Sequence, residues 1–296
     1  MAQRGWPRGR RLAIACSAGG YRTVFIQGVL AALEDAGIRA AAYGASSASV
    51  TSAALAAGGD ARAASLAYAQ ESLRQKERFQ RSMAEVNRAI IHDWLPRVRE
   101  LLFREGSPRF LLPVSMVVSE KAAVQTQGRG ARRLGRRLLL AAGRGDDRWA
   151  KANLKLRLYD TDAGARHRLT ATNFAEIAYA STRMLHAWDE PGWAEGQAAV
   201  DASYTCVCPA RELVELGYPV VLALACVPGP LYANFFGTEI IAERWAGARI
   251  DILQPAADPL KWGVDFNEAS EAGLARLYAE GETRGREWAA GWLAER

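Results

Sequence analysis

Residues 11–58 alternate twice between a short apolar run and an alanine-rich helical stretch, with small residues at each junction. Few folds accept that alternation. Arg11-Leu-Ala-Ile-Ala-Cys16 reads as a strand, and Ser17-Ala-Gly-Gly20 as a loop. Phe25, Val29, Leu30 and Leu33 then recur at helical spacing up to a stop at Gly37. Ile38–Tyr43 is a second predicted strand, and the turn Gly44-Ala-Ser46-Ser-Ala48 opens a second helix that ends near Gly58-Gly59. Strand, loop, helix, strand, turn, helix predicts a parallel sheet with helices on both faces.

Further along, residues 60–110 are helical in composition with mixed charge. Phe110–Val118, Leu156–Tyr159 and Arg168–Thr172 read as strands, and Phe174–Met184 as a helix. Val220–Cys226 is a continuous apolar run closed by Pro228-Gly229, the pattern of a strand buried on both faces. From Asn267 onward the pattern is a long amphipathic helix. No internal repeat or linker interrupts the chain. The prediction is one domain over 1–296, a three-layer α/β/α fold with a helical, arginine-rich insertion covering about 60–150, lid-like in position.

Half of the 296 residues are apolar and 24% are charged, enough to bury one large core and incompatible with compositional disorder. No apolar run approaches the roughly 20 residues that span a bilayer. Leu12–Ala18, behind the basic N-terminus, is too short for a signal peptide, so a cytoplasmic protein is expected, at most peripheral at a membrane. Cys16 and Cys226 lie in apolar runs, while Cys206 and Cys208 flank one valine without the second pair that zinc requires. Reduced thiols, no metal and no cofactor are expected.

Three segments could carry chemistry. A serine on a tight strand-to-helix turn presents its hydroxyl above the sheet, beside a helix N-terminus whose field suits a developing oxyanion. Ser46, with Gly44, Ala45 and Ala48 around it, fits that description, as does an ordinary helix cap. The loop Ala18-Gly19-Gly20-Tyr21-Arg22 turns several backbone N–H groups toward one point; it lacks the lysine of a phosphate-binding loop, leaving an anion or oxyanion site. The three histidines, His92, His167 and His186, occupy neither a strand end nor a glycine-rich turn. A base for Ser46 is therefore sought among carboxylates, and Asp201, after Ala199-Val200 and before Ala202-Ser203, is the candidate.

The order of these pieces resembles the patatin-like phospholipases. In that family the glycine loop reads G-G-G-x-R-G, the elbow G-x-S-x-G and the acid D-G-[GA]; the matching stretches here are Ala18–Thr23, Gly44–Ala48 and Asp201–Ser203. Ala180-Ser-Thr-Arg-Met184 resembles the family's A-S-x-A-x-P segment, and Gly28-Val-Leu30 and Glu215-Leu-Gly217 resemble neighbouring stretches. The resemblance implies a patatin-like fold and a Ser–Asp dyad in a serine esterase acting on lipid or other acyl esters. Ser46 would be the nucleophile and Asp201 the base, with Gly19 and Gly20 holding the oxyanion and Arg22 beside them. The same acyl-serine intermediate would serve an acyltransferase, and a scaffold that has lost catalysis would bind lipid or a protein partner.

Seven arginines (129, 132, 133, 136, 137, 144 and 148) face only Asp146 and Asp147 between residues 127 and 148. Leu134, Leu138 and Ala141 share a helical face there, flanked by Arg132, Arg133, Arg136 and Arg137. Such a helix could rest on an anionic membrane or accept a phosphate-bearing acyl carrier, and could equally be a solvated loop. No aromatic residue is interleaved with the arginines, which disfavours nucleic acid.

Overall fold

The computed structural model describes residues 11–64, 66–80, 82–187 and 190–295; the basic stretch 1–10 lies outside them. Among the described residues nine strands form one sheet: β1 (Leu12–Cys16), β2 (Ala42–Ala45), β3 (Arg109–Val117), β4 (Leu154–Asp160), β5 (Trp193–Ala194), β6 (Gln197–Val200), β7 (Val220–Leu224), β8 (Arg244–Trp245) and β9 (Ala248–Leu253). Their order is β5-β6-β3-β2-β1-β7-β9-β8, with β4 also on β3. The inner run β3-β2-β1-β7-β9 is parallel throughout, and the other strands join through antiparallel pairs.

The helices are α1 (Val24–Asp35), α2 (Val50–Ala57), α3 (Leu66–Phe79), α4 (Met83–Leu102), α5 (Glu120–Gln127), α6 (Ala131–Ala142), α7 (Arg148–Asn153), α8 (Phe174–Thr182), α9 (Ala210–Glu215) and α10 (Glu271–Ala294). β1 shows how the layers arise. Leu12, Ile14 and Cys16 enter a large apolar cluster with α1, α2, α4, α8 and α10. Ala13 and Ala15 enter a smaller one with Leu213 and Val214 of α9, Leu231 and Ile241. All five β1 residues are buried, as expected of a strand covered on both faces. The three-layer α/β/α class predicted from sequence is what forms.

In the thicker layer α1 and α10 pack backbone to backbone. A β-carbon at Gly28 would lie 2.2 Å from Tyr278 O, and one at Gly281 would lie 2.2 Å from Phe25 O. Each helix thus presents a glycine to the other's carbonyl, which fixes their register.

The topology also explains how residues far apart in sequence meet. Antiparallel β4 occupies one edge of β3 from Leu111 to Val117. The opposite edge is shared. β2 pairs with Arg109–Leu111, running parallel, and β6 pairs with Ser115 and Met116, running the other way. The C-terminal ends of β2 and β6 therefore point at each other across a short gap, level with Pro113, which has no N–H to give to a ladder.

Two sequence expectations change, and one strand was not expected. The second strand is Ala42–Ala45 rather than Ile38–Tyr43, because its pairing with β1 runs from Ala13↔Ala42 to Cys16↔Ala45. Residues 38–41 are spent returning the chain from the end of α1, with Ile38 N donating to Leu33 O. Arg168–Thr172 is not a strand: one bridge joins Arg168 to Asp160, and Thr170 then bonds with Asn173 at the start of α8. β9, which follows an irregular stretch, carried no alternation strong enough to be seen. No helix among the described residues is long and apolar enough to cross a membrane.

Candidate active site

The turn after β2 sits one residue later than its small-residue pattern predicts. Ser46 is still extended (φ −110°, ψ 138°), and its N–H donates to Cys16 O at 3.1 Å. The left-handed residue is Ser47, with φ 56°. Non-glycine residues rarely adopt that conformation, and it persists only where surrounding structure enforces it. The Ser47 N–H donates to Ser181 Oγ of α8 at 3.2 Å. Ser49 Oγ donates to Ser46 O at 2.9 Å, closing the turn before α2 begins. The elbow positions are thus Ala45-Ser46-Ser47-Ala48-Ser49, with alanine and serine where the family pattern has glycines.

Asp201 comes from the opposite direction, at the end of β6. Its N–H donates to Arg183 O at 3.0 Å, and its carbonyl accepts from Ser115 Oγ at 2.7 Å. Its carboxylate accepts from Ser203 N at 2.8 Å and from Ser47 Oγ at 2.7 Å. The serine whose hydroxyl reaches the Asp201 carboxylate is Ser47, where Ser46 was expected. Ser46 is fully buried and is not a partner of the Asp201 carboxylate. β2 ends at Ala45 rather than Tyr43, and the turn moves with it. Ala202 has no positive φ, so its backbone does not call for glycine.

Burial pushes the Asp201 carboxyl up to about 6, against the opposing pull of its bonds from Ser203 and Ser47. A carboxylate in that range is a far better proton acceptor at neutral pH than an ordinary aspartate. His186 touches no part of this pair. Its ring lies against that of Phe266 at 5.5 Å, and burial lowers its pKa.

The glycine loop meets the serine at a common cavity. Gly20, Ser47 and Ala48 line one pocket, walled by Tyr68, Ala69 and Ser72 of α3, Met83, Asn87 and Ile90 of α4, and Phe266. The loop's outer amides are spent: Ala18 N donates to Val207 O (2.8 Å) and Tyr21 N to Phe266 O (3.0 Å). The amides between them, Gly19 and Gly20, have no backbone acceptor among the described residues. Gly20 has φ 58°, and a β-carbon there would lie 1.8 Å from Phe266 O, so only glycine fits.

Arg22 lies in the 3₁₀ turn Gly20–Thr23, and its guanidinium pairs with Asp265. The pair secures the segment whose Phe266 carbonyl closes on Tyr21 N and whose ring walls the pocket. Leu134 and Leu138 of α6 turn inward, and Gly135 packs so closely that a β-carbon would lie 2.3 Å from His186 N. The apolar face read from the sequence is therefore part of the core, while Arg132, Arg133, Arg136 and Arg137 point outward. All four cysteines are free and buried. Among the described residues no group of three or more His, Cys, Asp or Glu could hold a metal ion.

Together these residues define an α/β/α protein with a serine on a strained elbow, a buried carboxylate and a shared pocket. No family model matches the sequence, and no curated protein matches it. Among solved structures, the chain is similar to VipD from Legionella pneumophila at a TM-score of 0.45 and 11% identity, over 96% of this chain and 67% of that one. Similarity at that level says nothing about chemistry.

Proposed function

We propose that the protein is a serine acyl hydrolase working through a Ser47–Asp201 dyad on lipid or other acyl esters. The observation that carries this reading is the 2.7 Å bond from Ser47 Oγ, on a residue held at φ 56°, to a carboxylate buried away from water. In the proposed reaction Ser47 Oγ attacks the ester carbonyl carbon as its proton passes to Asp201, and the Gly20 amide, with Gly19, receives the oxyanion. Collapse expels the alcohol, which takes the proton from Asp201 and leaves an acyl ester on Ser47. Water then attacks that ester while Asp201 takes its proton, and Ser47 recovers a proton as the acid departs.

The apolar walls at Tyr68, Ala69, Met83 and Ile90 suit an acyl chain, and the motif order that resembles patatin-like phospholipases supports a lipid substrate. In this reading α3 and α4 form the cover of the site.

Covalent labelling by a fluorophosphonate probe tests the proposal. Labelling is expected in the wild type and in Ser46→Ala, lost in Ser47→Ala, and slowed in Asp201→Asn. A folded wild-type protein that takes up no probe would leave a binding scaffold as the better reading. Loss in Ser46→Ala with retention in Ser47→Ala would return the nucleophile to Ser46.

A further inference from the structure

The whole net charge of the chain is concentrated in one surface element. Residues 118–145 hold seven basic residues (Lys121, Arg129, Arg132, Arg133, Arg136, Arg137 and Arg144) against Glu120 alone, a net +6, which equals the net charge of all 296 residues. The rest of the protein is balanced. None of the seven forms an ion pair among the described residues; the aspartates that follow, Asp146 and Asp147, pair with Arg148 and Lys151 instead.

The exposed face of α6 is unusual in a second way. With about 3.6 residues per turn, its outward arc reads Leu139, Arg132, Arg136, Leu140, Arg133, Arg137. It contains no acidic and no neutral polar residue. Leu139 is 46% exposed and Leu140, between Arg136 and Arg133, is 66% exposed. Val118 and Val124 nearby are 51% and 75% exposed, so this segment holds four of the eleven large exposed hydrophobics among the described residues. A solvated helix has no use for bare leucines among its arginines. A bilayer does, since apolar side chains enter the interface while cations meet phosphate. Lys121, Arg133 and Arg137 also line one depression with Trp149 and Asn153, a concave basic seat suited to a phosphate.

The location fits. α5 and α6 follow the C-terminal end of β3, which is parallel to β2, so they lie toward the end of the sheet where Ser47 leaves it. Gly135 on the inner face rests on His186, whose ring abuts Phe266 of the pocket wall.

We infer that the outer face of α5–α6 is a docking surface for an anionic lipid bilayer, with Leu139 and Leu140 entering the interface and the arginines engaging headgroup phosphates. This does not depend on the hydrolase reading. The test is vesicle flotation of the full chain carrying Ser47→Ala, so that no lipid turns over. Phosphatidylcholine vesicles are compared with phosphatidylcholine–phosphatidylglycerol vesicles at low and high salt. Binding is expected only to the anionic vesicles and is expected to weaken as salt rises. Arg132→Glu with Arg136→Glu should lower partitioning by about tenfold or more, at roughly 1 kcal/mol per basic residue near the surface. Leu140→Ser should lower it severalfold with unchanged melting and circular dichroism. The inference is overturned by equal binding to both vesicle types, by no binding to anionic vesicles, or by undiminished binding of the doubly reversed variant. Capture of an acidic carrier protein or nucleic acid without vesicle binding would overturn it as well.

Discussion

The backbone N–H of Ser47 donates to Ser181 Oγ at 3.2 Å, across 134 residues of sequence. The left-handed residue is thus held at both ends, its amide by α8 and its hydroxyl by Asp201. The strain at the elbow is sustained by elements outside it, which makes its environment open to single substitutions.

Ser181→Ala leaves the buried Ser47 amide without an acceptor. We expect a loss of about 1–3 kcal/mol in urea unfolding and a probe-labelling rate at Ser47 reduced more than protein concentration or folding explains. Unchanged stability and labelling would mean that the turn holds itself.

The pH dependence follows from Asp201, whose carboxyl is raised from 3.8 to about 6 by burial. The folded state then binds a proton that the unfolded state has released between roughly pH 4 and 6. Stability therefore falls as pH rises through that window, by on the order of 3 kcal/mol, and stays lower above it. Glu212, pushed up to about 7 by burial, acts in the same direction between roughly pH 4.5 and 7. Activity has the opposite slope, because the base must be ionised: kcat/KM rises through about pH 6. Asp201→Asn should be more stable than the wild type at neutral pH, equal to it below pH 4, and slower in ester hydrolysis by about 10²–10⁴-fold. Urea midpoints against pH, with initial rates on a chromogenic ester, check both halves.

Arg22 and Asp265 are 26% and 47% exposed, so their coupling is worth only about 0.2–1 kcal/mol. Arg22→Ala and Asp265→Asn should barely move the melting temperature. Each should still slow labelling of Ser47 severalfold, because Phe266 is no longer fixed over the glycine loop. The double variant should be no slower than either single one. Additive losses would show that Arg22 acts on the pocket by another route.

Gly20 and Gly37 both have positive φ, 58° and 70°, but only Gly20 is enclosed. Gly37→Ala, with nothing near the new carbon, should cost roughly 1 kcal/mol. Gly20→Ala must also displace Phe266 O and should cost more than about 2 kcal/mol, with loss of labelling. Equal costs in thermal unfolding would mean that the Phe266 segment yields easily.

The parallel core was legible because β1, α1 and β7 carry strong periodicities, and the sequence also singled out Asp201, the carboxylate that Ser47 bonds. The sequence pointed to Ser46, and the hydroxyl on that carboxylate belongs to Ser47. Gly44, Ala45, Ala48 and Ser49 are all small, so both registers look permissible, and a positive φ at Ser47 leaves no mark on composition. The register came from the pairing of β2 with β1. Ser115 and Phe266 were invisible for a different reason: each acts through a backbone contact whose partner lies 86 or more residues away. The arginine helix was recognised as amphipathic, but what its apolar face meets was left open, because periodicity reports that two faces differ and not which one meets the core.

The opposed approach of β2 and β6 along one edge of β3 has a consequence for how this chain can vary. Ser47 and Asp201 are 154 residues apart, yet both are measured off a single nine-residue ruler, β3. Helices α3 to α6 hang on that ruler without setting its length. They can be lengthened, exchanged or recharged with little effect on where the two side chains meet, so the surface and the pocket walls can diverge among descendants of this chain while the Ser47–Asp201 contact stays in place.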